Sequence, residues 1–471
     1  MTSASSPPDR MTMVKWALSF IFPALIYLLC SNAGLPQSHV IFYTITSVAL
    51  VFWALSLISD TIVAVALPIV YIIFQLGKPG QILNSWSTSV GWIVFGGLIF
   101  AQIMMRTGLA KRLSIWALYI TRGSFNRLLW GILLAGFIIA PCIPTVMGKA
   151  ALISVICIGI CETLNLEKKS RASSAILLAG FLSIATSKMS FLTGGADVTM
   201  LVKQTGDVMG KSVSWGDYFL HNFPLAIIYA AFSMLLLILI LRPKLDADVT
   251  EYVSKAHAEL GPMGTGEKKT GALILLLILL MVTDRFHGID VGWIMIVLAF
   301  VTFLPGVSLM NDANLNKIPL TPIFFVVGCM SIGSTARVLG VDKFLAGTLA
   351  PLMEGNSEVM SMFFAYIAGT AVNFLLTPLA AVSSMTVPLA ELAMNMGINP
   401  IPVVYAFNYG LEQYIFPYEY AVLLFFFASG WISLKHIIMV FAARFAVTGV
   451  FLVAVAAPWW KLWGLFEPVV R

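Results

Sequence analysis

Between Phe125 and Leu166 the chain carries two apolar runs, Leu128–Ala140 and Ala150–Ile160, separated by Pro141-Cys142-Ile143-Pro144-Thr145-Val146-Met147-Gly148-Lys149. A helix rises about 1.5 Å per residue, so each run reaches only roughly 20 Å against a hydrocarbon core of about 30 Å. Neither arm crosses, and both ends are basic, with Arg122 and Arg127 before and Lys168, Lys169 and Arg171 after. Basic flanks mark the cytoplasmic side. The pattern predicts a re-entrant helical hairpin whose broken tip lies at mid-membrane, where irregular backbone survives only against protein or a water-filled cavity. In secondary transporters such breaks hold the cargo.

The whole chain agrees with a membrane setting. It has 471 residues, 59% hydrophobic and only 11% charged, where soluble domains carry about 25% charged residues. The formal charge of +6 follows from Lys and Arg in short loops on one side, so it reports topology and calls for no nucleic-acid partner. The cysteines Cys30, Cys142, Cys157, Cys161 and Cys329 lie in or beside apolar segments without framework or ligand spacing, so packing thiols are expected, with no metal site and no cofactor.

Taken in order, residues 1–38 read as a polar cytoplasmic tail and a first, uncleaved membrane helix. Residues 39–242 form a first repeat, with its hairpin at about 128–162 and a broken helix at about 172–203. A cytoplasmic loop spans 243–269. Residues 270–458 form a second repeat, with a hairpin at about 359–397 and a broken helix at about 402–428, and 459–471 close the chain. Short interfacial helices are expected at Gly108–Ile120 and around Val341–Met353, and Trp459, Trp460 and Trp463 suit an outer interfacial belt. Gly96, Gly108 and Lys111 recur as Gly328, Gly340 and Lys343 at a constant offset of 232, which carries Thr145 onto Thr377. Each repeat makes an odd number of crossings, about five, so the two are inverted and their hairpins meet from opposite sides. The fold class is an all-α polytopic membrane protein of two inverted repeats with re-entrant hairpins, in a bacterial inner membrane with its N-terminus inside.

Val387-Pro388-Leu389-Ala390 and Gly397-Ile398-Asn399-Pro400 close the second hairpin, and Phe416-Pro417-Tyr418-Glu419 interrupts the tenth span. With the paired hairpins and interfacial helices, these features resemble the divalent anion:sodium symporter family of the ion transporter superfamily, from the second span to the last. The resemblance implies a homodimer working as an elevator, in which both hairpins and both broken helices carry the substrate past a scaffold. Family members bear Ser-Asn-Thr at each tip, holding sodium and substrate carboxylates. Aligned on the threonines, this chain has Ile143-Pro144-Thr145 and Leu375-Leu376-Thr377; aligned on Pro388, it has Val146-Met147-Gly148 and Pro378-Leu379-Ala380. The Ser-Asn pair is missing from both tips either way.

The ionisable residues inside the spans carry the functional expectations, because such groups are costly in a bilayer. Lys149 stands where a sodium ion would otherwise sit and offers a fixed cation to an anion; the alternative is a structural pair with a carboxylate such as Glu419. Lys188, with Thr186 and Ser187 beside it, faces the same pocket or, on a slipped alignment, an interface. Thr193 and Gly194 bring backbone N–H groups to the anion, or serve helix packing. Thr145, Asn373, Thr377, Ser383, Ser384 and Tyr418 complete the substrate-binding set, although each hydroxyl is satisfied by a helix backbone in the plainer reading. Glu419 is the preferred proton or ion-pair residue and Glu412 a structural or gate-side carboxylate, while Arg444 has only its charge to single it out. The expected function is secondary transport of a small organic anion (a dicarboxylate, monocarboxylate or sulfonate), with a proton or counter-anion favoured over sodium for coupling. The alternatives are a sodium-coupled dicarboxylate or oxyanion symporter and, behind it, an anion channel. Neither a Ser/His/Asp set nor a metal spacing suggests an enzyme.

Overall fold

The computed structural model describes residues 10–55, 57–121, 124–141, 143, 145–243, 250–341, 357–374 and 376–468. It is helical, with no strand among the described residues. The first repeat begins after α1 (Arg10–Asn32) with α2 (Gln37–Leu55), α3 (Asp60–Ile73) and α4 (Ser89–Thr107). It continues through α5 (Leu109–Ile120), the hairpin α6 (Phe125–Ile139) and α7 (Val146–Thr163), the broken pair α8 (Arg171–Ser187) and α9 (Ala196–Met209), and α10 (Trp215–Leu241). The second repeat holds α11 (Thr265–Val282), α12 (Val291–Val301) and α13 (Thr321–Leu339). Its hairpin is α14 (Glu358–Asn373) and α15 (Pro378–Asn395), its broken pair α16 (Pro400–Leu411) and α17 (Ala421–Ala428), and α18 (Leu434–Leu462) ends it. The interfacial helix expected around Val341–Met353 falls, from 342 onward, outside the described residues.

Seven described helices are long and apolar enough to cross a membrane. They sit at very different depths of protein. The most apolar stretch of the first, Met13–Asn32, is only 11% buried, whereas every residue from Ala172 to Ser190 is buried. An apolar helix bare on nearly every side belongs in lipid, and one buried all round belongs inside the bundle. Every residue of α16 is buried as well. The two broken helices are therefore the centre about which the other spans are arranged.

The repeat seen in the sequence has a physical counterpart. Gly108 and Gly340 end α4 and α13 in the left-handed region, with φ of +83° and +73°, a conformation that a Cβ disfavours. Gly96 and Gly328 are close-approach sites. A Cβ on Gly96 would fall 2.8 Å from Met295 Cγ in α12, and one on Gly328 would collide with the Ala64 carbonyl in α3. Each repeat thus seats its glycine-bearing helix against a helix of the other, so the two halves are interlocked.

Several helix starts away from the middle are capped by side chains. Ser170 accepts from the Ser173 N–H (3.1 Å), Ser214 from Asp217 (2.9 Å), Ser357 from Met360 (3.2 Å) and Asn399 from Ile401 (3.1 Å). These bonds satisfy amides that a helix start leaves free. At the end expected to face the cytoplasm, Arg112 of α5 grips Glu267 at the start of α11 through Nε (2.7 Å) and Nη2 (3.1 Å). It also donates to the Leu260 and Gly261 carbonyls, both at 2.9 Å. One guanidinium thereby fixes the end of the inter-repeat loop. Its hydrogen bonds hold the Glu267 carboxyl below the usual glutamate value.

A folded-state value below the unfolded one stabilises the protein above the unfolded value, and that contribution is lost as pH falls through the folded one. We expect Glu267→Gln to unfold at a lower temperature than the parent above about pH 4.3, the ordinary glutamate value, with the two curves converging on further acidification. Thermal unfolding in detergent, followed by tryptophan fluorescence, measures this.

Candidate functional site

The hairpin ends and helix breaks of both repeats open onto one cavity of about 400 Å³. Thr145 and Gly148 come from the first hairpin, Thr193 and Asp197 from the first break, Pro378 from the second hairpin and Tyr420 from the second break. The wall continues past Gln102 and Met105 of α4 to Pro319 and is largely apolar. A second cavity of about 780 Å³, near Lys203, Lys211 and Arg337, shares Ile93 and Thr199 with it.

Four helices begin at the central cavity. They are α7 after Thr145, α9 after Gly195, α15 after Thr377 and α17 after Tyr420. None of the four has its first turn capped by the side chain of its N-cap residue, a feature they share with the starts of α3, α4, α6 and α18. Helix starts carry unpaired N–H groups and roughly half a positive charge. Four of them pointed at one apolar chamber favour an anion there without any cation on the wall.

The charged side chains lie behind that wall. Lys149, fully buried, sits in the first turn of α7 and donates from Nζ to the Gly194 carbonyl at 2.9 Å. It reaches the unwound backbone of the α8–α9 break and does not line the cavity, because a buried carbonyl without a helical partner requires a donor. The break itself is tight: a Cβ on Gly194 would collide with the Lys188 carbonyl, so only glycine fits. Lys188 lies between two carboxylates, with Nζ 2.6 Å from Asp197 Oδ2 and 2.5 Å from Glu412 Oε1. Its ammonium is 5.1 Å from the Tyr420 ring, which stacks on Tyr414 at 4.7 Å. Lys188 and Glu412 are wholly buried, and Asp197 forms part of the cavity wall.

The remaining expected residues divide. Thr145 and Thr193 line the cavity, and Thr193 also accepts from Trp215 Nε1 at 3.3 Å. Thr186, Ser187, Ser383 and Ser384 donate to carbonyls three or four residues back in their own helices, the plainer of the two expectations for each. Asn373 donates to the Gln413 carbonyl at 3.3 Å, tying the second hairpin to the second break. Thr377 precedes the first residue of α15. Glu419 accepts from the Ile415 and Phe416 amides at 3.1 and 3.0 Å, so its carboxylate caps the break and forms no ion pair with either lysine. The side chain of Tyr418 lies outside the described part. Arg444 caps the C-terminal end of α16 by donating to the Glu412 carbonyl at 2.9 Å, with Ser233 Oγ at 3.3 Å and the Tyr229 ring beneath it at 4.8 Å.

Sequence reasoning missed Asp197, Tyr414 and Tyr420. A signal for Asp197 existed: it is an acid in a buried span, two residues beyond the Gly194-Gly195 pair, and the rule that singled out Glu412 applies to it equally.

Interlocked repeats, two helical hairpins and two broken helices around one central cavity define a secondary-transporter fold. The chain belongs to the family described as the sodium:sulfate symporter transmembrane region, which it matches over residues 10–466. Relatives from Escherichia coli K12 include the inner membrane protein YbhI, 21% identical over 424 residues (85% of this chain, 88% of that one). Another is an L-tartrate/succinate antiporter, 22% identical over 443 residues (87% and 90%). The Alcanivorax borkumensis YdaH transporter shares the fold, with a TM-score of 0.54 and 15% identity, covering 93% of this chain and all of that one. The protein is a multi-pass bacterial inner membrane protein.

Removing the lysine would leave two buried carboxylates facing each other. We expect Lys188→Met to cost about 3–5 kcal/mol, the usual price of breaking a buried pair, read as a lower unfolding temperature in detergent. Adding Glu412→Gln should restore part of the loss, since it removes the stranded charge.

Proposed function

We propose that this protein is a secondary active transporter of small organic anions, working as a homodimeric elevator and coupled to protons or to counter-anion exchange. The observation that carries this reading is the convergence of four side-chain-uncapped helix starts on one cavity formed by both hairpins and both breaks. The L-tartrate/succinate antiporter relative supports carboxylates as the first cargo to try. The apolar wall suits the carbon skeleton of an organic acid better than the hydration shell of an inorganic oxyanion.

In this reading Lys149 replaces the coupling sodium ion. A sodium ion in a helix break would be held by backbone carbonyls, and here the Gly194 carbonyl already accepts from an ammonium fixed to the hairpin. The lysine keeps the break shut around the helix starts, so its charge reaches the cargo through backbone that it orders. Elevator movement requires the hairpins and broken helices to travel together. Links from Lys149 to Gly194, Asn373 to Gln413 and Arg444 to Glu412 support their moving as a block.

The test is uptake and counterflow of labelled succinate and tartrate in proteoliposomes, with and without sodium. The parent should transport at the same rate in sodium-free buffer, and Lys149→Ala should lose about 10- to 100-fold, the worth of one charge-assisted hydrogen bond of roughly 1.5–3 kcal/mol. A parent that requires sodium would sink the replacement proposal. A parent that shows neither saturation nor counterflow would make the protein a channel.

A further inference from the structure

We propose that Lys188, Asp197 and Glu412 together form a proton-binding site, in which the two carboxylates share one exchangeable proton across the lysine at the joint between the repeats. Its role in transport rests on the anion-transporter reading above, whereas the binding of a proton does not.

Charge counting makes the case. The ammonium is within 2.6 Å of Asp197 Oδ2 and 2.5 Å of Glu412 Oε1. With both carboxylates ionised, a site whose lysine and Glu412 are wholly buried and whose Asp197 lies on the cavity wall carries one negative charge more than positive. Among the described residues no ion pair other than those of Lys188 reaches either carboxylate. Tyr414 and Tyr420 from the second break and Tyr218 from α10 are neutral, and the Tyr218 hydroxyl is spent on the Met189 carbonyl at 3.0 Å. The Arg444 guanidinium and the Lys149 ammonium are held at the Glu412 and Gly194 main-chain carbonyls, so their charges act on the two carboxylates only through space. Two like charges held this close in a low-dielectric interior do not both stay ionised without cost, and a single proton removes the excess.

The positions of the three residues make the site reachable. Lys188 and Asp197 flank the break between α8 and α9, in the first repeat. Glu412 opens the break between α16 and α17, in the second. Asp197 is on the cavity wall, and Glu412 has no exposed surface. A proton arriving through the cavity forms an O–H bond on Asp197 and passes by way of the ammonium to Glu412, with water released at the cavity. The lysine gives one proton as it takes another, so its own charge is unchanged. Two of the four helix starts, those of α9 and α17, begin beside Asp197 and Tyr420. Protonation therefore alters the field where the anion would bind.

Infrared difference spectroscopy of the full chain in detergent, titrated between mildly acid and mildly alkaline buffer, reads the proton directly as a carboxylic-acid carbonyl band. The parent should show a band that appears on acidification, and Glu412→Gln should lose it. Asp197→Asn serves as the second variant, and loss of the band there supports the pair equally. A band that survives both substitutions, or a parent without one, overturns the proposal. Labelled-succinate and tartrate counterflow on the same preparations separates the two claims. Net uptake in the parent should carry a luminal pH change, and Glu412→Gln should lose that change. If neither anion moves in the parent but the band titrates and is lost in the variants, the transport reading fails and the proton site stands.

Discussion

A helix that stops inside a membrane leaves main-chain donors at one end and acceptors at the other, and lipid satisfies neither. This chain interrupts its helices at four places around one cavity, and it treats the two kinds of end differently. Carbonyls at the breaks receive built-in donors: Lys149 for Gly194, Asn373 for Gln413, Arg444 for Glu412. Amides in the second break receive Glu419, at Ile415 and Phe416. The helix starts at the cavity receive no N-cap side chain. The acceptor ends are closed by the protein, and the donor ends are left for a solute. On the proposed reading, that asymmetry is what would favour a negative solute in a cavity lined by no lysine or arginine.

The same bonds decide what can move. Those of Lys149, Asn373 and Arg444 each join a hairpin or the last helix to a break, and all three side chains are buried. The ion pair between Arg337 of α13 and Asp207 of α9 is different: it spans 3.5 Å and both side chains are 31% exposed. Exposed pairs of this kind contribute little, about 0–1 kcal/mol. Bonds among the central elements are thus costly to break, and this contact from α9 to α13 is cheap.

Much of the architecture was legible because hydropathy and breaker residues report directly on depth. The interval opening at Pro141 separates α6, which ends at Ile139, from α7, which begins at Val146, and the Gly108/Gly340 correspondence becomes a shared left-handed helix end. The site was less legible. Sequence marks a buried lysine as needing a partner but does not say which. Lys188 found Asp197 nine residues on and Glu412 in the other repeat, and only the second of these had been singled out. Glu419 looked like the titrating residue because it stands beside the Pro417 break, yet the break itself consumes it as a cap. Whether a carboxylate serves main chain or charge depends on the turn geometry of four or five residues, which periodicity does not contain.

A chamber built for anions has an awkward neighbour in Asp197, a carboxylate on its wall. An anion entering beside an ionised Asp197–Glu412 pair adds a further negative charge to a region already one in excess, and the apolar wall does little to screen the repulsion. A proton on the pair removes that excess, so anion and proton each make the other easier to bind. By linkage the benefit is mutual and equal in free energy. A fixed cation in the break is compatible with such coupling in a way that a captured metal ion is not. The ammonium of Lys149 never leaves, so it cannot carry information about an ionic gradient from one side to the other. Whatever drives accumulation then has to be a species that does leave, and the carboxylates astride Lys188 are a group beside the cavity whose charge such a species would change.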